Sequence, residues 1–197
     1  LDFGFSEKYG YLTASLSNVG TGLRVSVMIH LAGLAMMDSA GAVLKAAYDL
    51  GVSVRGLYGE GSTALGDLYQ VSNEVTLGIS EEEIVERVRS VAEYLLCNER
   101  SARKELLEKA SKHIIEISGR SLKTLKNSIA ISADEAIRLL SPLRLSASMG
   151  LVCNCPMQVL NELLIGLQAG MVDNYKSKVE RADFMRKKLA DVYIKTS

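Results

Sequence analysis

The chain has 197 residues, of which 48% are apolar and 23% are charged, and it contains only two prolines. This length and composition fit one to one and a half globular domains and exclude collagenous, mucin-like and disordered chains. The 23 basic and 23 acidic residues leave a formal net charge of zero, so the sequence offers no overall electrostatic attraction to nucleic acid or to an anionic membrane.

Glycine and β-branched residues dominate the first eighty residues and predict a sheet. The patterns favour strands over Gly10–Ala14, Leu23–Leu31, Val52–Tyr58 and Leu68–Asn73, with one helix over about Asp38–Leu50. This order, with one crossover helix beside hairpin-length connections, favours a mixed or antiparallel sheet over a doubly wound parallel sheet. The predicted fold class is therefore α+β, with a mostly antiparallel sheet flanked by helices.

From about Gly78 onwards glycines become rare, and apolar residues recur with the 3.6-residue period of helices. Two capping-box patterns, at Ser80 with Glu83 and at Ser132 with Glu135, mark helix starts. The predicted helices cover 84–96, 103–117, 133–143, 157–170 and 176–193. We therefore expect a helical module at the C-terminal end of the chain.

The cysteines and the apolar segments indicate the cellular environment. Cys97, Cys153 and Cys155 are an odd number of thiols, which is typical of a reduced intracellular protein rather than of a disulfide framework. The most apolar stretch, 23–37, is interrupted by Arg24 and falls short of the roughly 18 uninterrupted apolar residues of a membrane span. We expect a cytoplasmic protein without a membrane helix.

A glycine-rich segment follows the third predicted strand. Four glycines lie within Gly56–Gly66, and such a loop allows a ligand to approach the backbone closely. Arg55 can present a guanidinium fork to phosphate oxygens, and Glu60 can hold a cationic substrate group or accept its proton. The alternative is a flexible hairpin with two solvated charges, because the complete phosphate-loop pattern is absent.

Arg24 ends a second polar turn, 18–24, at the entrance of an apolar strand. No acidic residue lies nearby in the sequence, so an anionic ligand would satisfy its charge. The alternative is an arginine that extends from the strand end into solvent. Two separated arginines and a glutamate, without a phosphate-loop lysine, suggest phosphoryl transfer in which guanidinium groups stabilise the charge.

The remaining candidates for chemistry favour structural roles. His30 lies in an apolar strand and is expected to be a core residue rather than a base. His113 has no neighbouring cysteine or carboxylate constellation, and Cys153 with Cys155 lacks a second ligand pair. We therefore expect no metal site built from protein side chains.

Three ordered motifs, at Asn18–Met28, Val54–Ser62 and Tyr69–Gly78, closely resemble the ATP:guanido phosphotransferase family. The Gly-Glu-Gly-Ser form of the second motif and the Ser-Asn-x-Val-Thr-Leu-Gly form of the third are more similar to bacterial protein-arginine kinases than to creatine or arginine kinases. The resemblance implies transfer of the γ-phosphoryl group of ATP to a guanidinium nitrogen. The expected acceptors are arginine side chains in proteins. The implied cofactors are ATP and Mg²⁺.

The same resemblance assigns roles by position. Arg24 and Arg55 would contact the phosphates of ATP, and Glu60 would hold the acceptor guanidinium, so these three are the expected catalytic residues. The residues expected to line the nucleotide site are Arg24, Val25, Ser26, Val27, Met28, Arg55, Gly56, Leu57, Tyr58, Gly59 and Glu60.

The chain also departs from the family pattern. Ser15 and Leu16 stand where the family has a reactive cysteine followed by proline. In the family, a catalytic Asn-Glu-Glu-Asp segment and further basic phosphate-binding residues precede the position of Leu1. We interpret the start at Leu1 as a cut end rather than as a signal peptide. Of the Arg-Asp-x-x-Arg-Ala motif that forms a phosphoarginine pocket in protein-arginine kinases, only Arg181 and Ala182 are present.

The domain and partner expectations follow from this resemblance. Residues 1–118 would form the C-terminal part of a guanido-kinase-like catalytic domain, and 119–197 a helical regulatory or substrate-binding module. The implied partners are proteins carrying arginine, an activator protein, an ATP-dependent protease and a second copy in a homodimer, with no nucleic acid and no membrane. Two alternatives stay open: a truncated or degenerate module that binds nucleotide without chemistry, and a kinase for small guanidino compounds.

Overall fold

The computed structural model describes residues 3–56, 64–167 and 177–195. They belong to two compact units, one of Leu1–Ala64 and Leu68–Ser101, the other of Leu65–Asp67 and Ala102–Ser197. The expected division into domains between residues 118 and 119 stays a prediction.

Both units combine helices with antiparallel strands, which confirms the α+β class. The strands are Phe5–Ser6 (β1), Gly10–Tyr11 (β2), Ser26–His30 (β3), Val52–Gly56 (β4), Leu68–Asn73 (β5), Val152–Cys153 (β6) and Tyr193–Ile194 (β7). The helices are Ala32–Met36 (α1), Ala40–Asp49 (α2), Glu81–Asn127 (α3), Ala133–Ser148 (α4), Met157–Leu167 (α5) and Lys178–Lys188 (α6). Short 3-10 turns cover Leu16–Asn18 and Leu65–Asp67.

The main sheet of the first unit has the strand order β3-β5-β4, and both pairings are antiparallel. Residues directly opposite one another in neighbouring strands share a face of the sheet. Two such rows form what we call the polar face: Ser26, Ser72 and Ser53 in one row, and Met28, Gln70 and Arg55 in the other. The row between them, Val27, Val71 and Val54, lies on the opposite face, where Val71 and Val54 are buried.

A buried carboxylate organises the turn after β3. The side chain of Glu99 is 1% exposed and accepts hydrogen bonds from the backbone N–H groups of Gly33 at 2.8 Å and Leu34 at 2.9 Å. These two donors belong to the first turn of α1, where backbone N–H groups have no partner inside the helix. Glu99 therefore ties α1 to α3 within the first unit.

The second unit is mainly helical. Its core contains Leu140 and Leu143 of α4 with Leu160 and Leu163 of α5, each at most 1% exposed. The ammonium group of Lys126 donates to the carbonyls of the residues that follow α6, at 2.8 Å and 2.7 Å. Among the described residues, no helix combines the length and apolar character that crossing a bilayer requires.

The structure differs from the sequence expectations mainly in the extent of its elements. The strand expected over Gly10–Ala14 is only two residues long. The two helices expected over 84–96 and 103–117 are parts of the single helix α3, because no proline or glycine lies between them to end the first one. The helical geometry is interrupted instead at Ala110, whose φ is −134°.

Candidate functional site

The two candidate phosphate-binding arginines share the polar face of the main sheet. Arg55 lies on β4, directly opposite Gln70 of the central strand. Its Nε donates a hydrogen bond of 3.0 Å to Oγ of Ser53, two residues earlier on the same face. Arg24 lies two residues before β3, and its Nη2 donates a 3.0 Å hydrogen bond to Oγ of Ser72.

The serines that accept these bonds are themselves neighbours. Ser53 and Ser72 stand directly opposite each other in β4 and β5, and both are buried, at 4% and 0% exposure. The two serines therefore bind one guanidinium group each, at neighbouring positions on the paired strands β4 and β5. The arrangement directs two cations to the same side of the sheet, which is what binding one polyphosphate requires.

The backbone on both sides of Arg24 is held by a single buried side chain. Oδ1 of Asn73 accepts from the N–H of Val25 at 2.8 Å, and its Nδ2 donates to the carbonyl of Leu23 at 3.1 Å. Asn73 is 5% exposed, so these bonds are shielded from competing water. The position of Arg24 is thus fixed by the residue that follows Ser72.

The turn before Arg24 is closed in a similar way by Thr76. Its hydroxyl lies 3.0 Å from the carbonyl oxygen of Ser17 and 2.7 Å from that of Val19. The backbone of Gly20 lies against that of Thr76, so that a Cβ on Gly20 would stand 2.1 Å from the carbonyl oxygen of Thr76. The φ of Gly20 is +114°. Only glycine fits this position.

The other expected nucleotide-site residues divide between the two sides of the sheet. Ser26 and Met28 lie on the polar face with the arginines. Val25 and Val27 alternate with them and belong to the opposite side. Gly56 ends β4 opposite Tyr69. The expected residues Leu57, Tyr58, Gly59 and Glu60 lie outside the described residues, and the role of Glu60 stays a prediction.

Sequence reasoning assigned no role to four residues that hold the arginines and the turn: Ser53, Ser72, Asn73 and Thr76. A signal was present for three of them, since Ser72, Asn73 and Thr76 belong to the third motif. Ser72 and Asn73 are also polar residues at the end of an apolar strand, where a polar group that becomes buried needs a partner. The partners were 48 residues away in the chain. Local patterns could not identify them.

The other expected positions have local structural roles. Ser15 is exposed, and its hydroxyl lies 2.8 Å from that of Ser17. His30 is buried at the end of β3, as the core interpretation expected. In the described parts of the chain, histidine, cysteine and acidic side chains form no group of three or more that could bind a metal ion.

The segment that matches part of the phosphoarginine motif begins helix α6. Ser177 and Glu180 form a reciprocal capping box with hydrogen bonds of 3.1 Å and 3.0 Å. Nε of Arg181 donates to the carbonyl of Ile131 at 3.2 Å. The serine that replaces the first arginine of the motif thus caps the helix.

Comparison with known proteins gives a consistent result along the whole chain. Residues 1–102 match the family model of the ATP:guanido phosphotransferase C-terminal catalytic domain, and residues 111–196 match that of the protein-arginine kinase McsB C-terminal domain. A protein-arginine kinase of Pelotomaculum thermopropionicum is 42% identical over 98% of this chain and 56% of its own length. That of Halalkalibacterium halodurans is 46% identical over 93% of this chain and 51% of its own length.

The chain therefore spans about half the length of these curated relatives. Among solved structures, lombricine kinase is 33% identical over 49% of this chain and 26% of its own, with a TM-score of 0.43. The two family models and the two protein-arginine kinases confirm the resemblance inferred from the three motifs. The chain belongs to the ATP:guanido phosphotransferase family.

Proposed function

We propose that this chain is part of a protein-arginine kinase. In the reaction, the bond between the γ-phosphorus of ATP and its bridging oxygen breaks, and ADP leaves. A bond forms between that phosphorus and a guanidinium nitrogen of an arginine side chain, which loses a proton. The names of the curated relatives support an enzyme over a module that binds nucleotide without chemistry.

The observation that carries this proposal is the common placement of Arg24 and Arg55. Both guanidinium groups are bonded to neighbouring buried serines on the polar face. Phosphoryl transfer spreads negative charge over the phosphate oxygens, and fixed cations stabilise that charge without reorganising during the reaction. In this proposal the two arginines bind and orient the phosphates, while Glu60 orients the cationic acceptor.

The donor set fits ATP, because planar guanidinium groups match phosphate oxygens with paired hydrogen bonds. Arg24 and Arg55 would hold the phosphates. Mg²⁺, when bound, would supply further charge neutralisation, and in nucleotide sites it is commonly held in large part by the phosphates themselves. Ser26 and Met28 lie on the same face and would contact the nucleotide beside the arginines.

The substrate and partners extend the same proposal. Arginine side chains in proteins are the expected acceptors, and free guanidino compounds are the alternative. An activator protein, an ATP-dependent protease and a second copy of the chain are the partners that the resemblance implies, and a cytoplasmic location accompanies them. We propose, by the same resemblance, a catalytic part over 1–118 and a helical module over 119–197.

The test is formation of phosphoarginine by the longest natural polypeptide that contains this sequence. With MgATP and an arginine-rich protein, ³¹P NMR should show a phosphorus–nitrogen signal that disappears in acid. Free arginine should give little signal, and Arg24→Ala should reduce the protein signal by at least about tenfold, the effect of losing a charged hydrogen bond. Phosphate found only on hydroxyl groups, or no transfer at all, would overturn the proposal.

A further inference from the structure

We infer that Ser72 is a positioning residue, which holds the guanidinium group of Arg24 in place for a phosphate group. This inference rests on the proposed function and adds a residue that acts through another rather than touching the nucleotide. It is carried by the 3.0 Å hydrogen bond from Nη2 of Arg24 to Oγ of Ser72. Three further features of the structure support it.

The first feature is the contrast in mobility between the two side chains. Arg24 is exposed and lies before the start of β3, so its long side chain would otherwise sample many rotamers. Ser72 is fully buried on the central strand, with Ser26 and Ser53 opposite it on either side. A short side chain on a strand paired along both edges provides a fixed acceptor, and fixing a donor before the ligand arrives lowers the entropy cost of binding.

The second feature is that the backbone next to Arg24 is held as well. Asn73 bonds to the residues before and after Arg24, at 3.1 Å and 2.8 Å. Ser72 and Asn73 are consecutive residues of β5. One place on this strand therefore fixes both the backbone around Arg24 and the position of its guanidinium group. A side chain with both ends fixed in this way is preorganised.

The third feature is the charge of the acceptor. In the described part of the chain Arg24 forms no ion pair, and Ser72 is neutral. A carboxylate in that place would hold the guanidinium group but would also cancel its charge. The serine hydroxyl orients the cation while leaving its charge available to the phosphate. Arg55 and Ser53 also pair a guanidinium N–H with a serine hydroxyl, in this case through Nε of the arginine.

The experiment measures binding of three probes, MgATP, pyrophosphate and adenosine, by NMR titration of the longest natural polypeptide that contains this sequence. Ser72→Ala should weaken ATP and pyrophosphate about 3- to 10-fold, as loss of one hydrogen bond predicts, and should leave adenosine unchanged. Ser72→Thr, which keeps the hydroxyl, should restore phosphate binding. Ser101→Ala is the matched control, because Ser101 is an exposed serine whose hydroxyl donates to the carbonyl of Cys97 in the same helix.

A double-mutant cycle separates positioning from a general structural effect. In the Arg24→Ala background, Ser72→Ala should change ATP affinity by less than about twofold, because its effect acts through the arginine. Equal weakening of adenosine and pyrophosphate, or full additivity in the cycle, would overturn the inference. If Arg24→Ala weakens ATP binding and Ser72→Ala does not, only this inference fails; if Arg24→Ala has no effect on any probe, the proposed function fails.

Discussion

Gly66 lies directly against Ile137 of α4. A Cβ on Gly66 would stand 2.7 Å from both Cγ2 and the carbonyl oxygen of Ile137, and the φ of Gly66 is +60°. The hydroxyl of Ser141, one helical turn further along α4, donates to the carboxylate of Asp67. The turn Leu65–Asp67 is thereby fixed on α4 within the second unit.

Gly66→Ala should therefore destabilise the protein by about 2 kcal/mol or more, since overpacking and a left-handed backbone both act against the new methyl group. The measurement is the urea midpoint of the second unit, followed by the circular dichroism of its helices. Gly119→Ala is the control, because a Cβ there would meet nothing within 4 Å, and alanine in a helix should stabilise by roughly 0.5–1 kcal/mol. Equal midpoints for the two variants would contradict the contact.

Glu99→Gln should destabilise the first unit by about 1–3 kcal/mol. The amide keeps one acceptor oxygen but turns an NH₂ group towards a buried backbone donor, so one N–H of Gly33 or Leu34 loses its partner. Chemical denaturation measures the loss. Glu93→Gln changes an exposed carboxylate of the same helix and should stay within about 0.5 kcal/mol. If Glu99→Gln behaves like this control, the carboxylate does not stabilise α1.

The phenol of Tyr193 should titrate above its ordinary range. The hydrogen bond with Cys153, followed by the charge of the Cys153 thiolate, raises the pKa of Tyr193. Because the folded-state pKa is the higher one, the contribution of this group to stability is complete below the unfolded pKa. It is lost as pH rises through the folded value.

The titration can be followed by ¹³C NMR of labelled tyrosine. Cys153→Ala should return the pKa of Tyr193 towards its ordinary value, and Cys97→Ala, which removes an exposed thiol of another element, should not. If the pKa of Tyr193 stays raised in Cys153→Ala, Cys153 is not the cause of the shift.

Glu60→Gln should separate acceptor orientation from nucleotide binding. The amide keeps the size of the side chain but removes the charge that would hold the acceptor guanidinium, so kcat should fall about 10²-fold or more. ATP affinity should change little. Arg55→Ala, in contrast, should weaken ATP binding as well as turnover, because it removes contacts made in both ground and transition states. The assay is phosphoarginine formation, with ATP binding measured separately; a parent rate for Glu60→Gln would remove Glu60 from the reaction.

The sequence predicted those features that depend on neighbouring residues. The predicted bounds of β5, Leu68–Asn73, agree with the structure because turn residues flank its apolar run. Ser80 and Glu83 form the expected capping box, with hydrogen bonds of 3.2 Å and 3.0 Å. The length of α3 was missed, since two separate apolar patterns do not show that the helix continues between them. The supports of Arg24 were missed because cross-strand contacts depend on register, which local patterns do not specify.

The central position of β5 also determines when the sheet can form. β5 is the last of the three strands in the chain but lies between the other two, so within the described sheet β3 and β4 cannot be joined until residues 68–73 are available. A polypeptide that has left the ribosome only as far as β4 holds both arginines on unpaired segments, with Ser72 and Asn73 not yet present. Folding of this sheet therefore waits for contacts across 48 residues, and such distant contacts slow folding. The placement of the two arginines on one face should consequently arise in a single step, when β5 is inserted between β3 and β4.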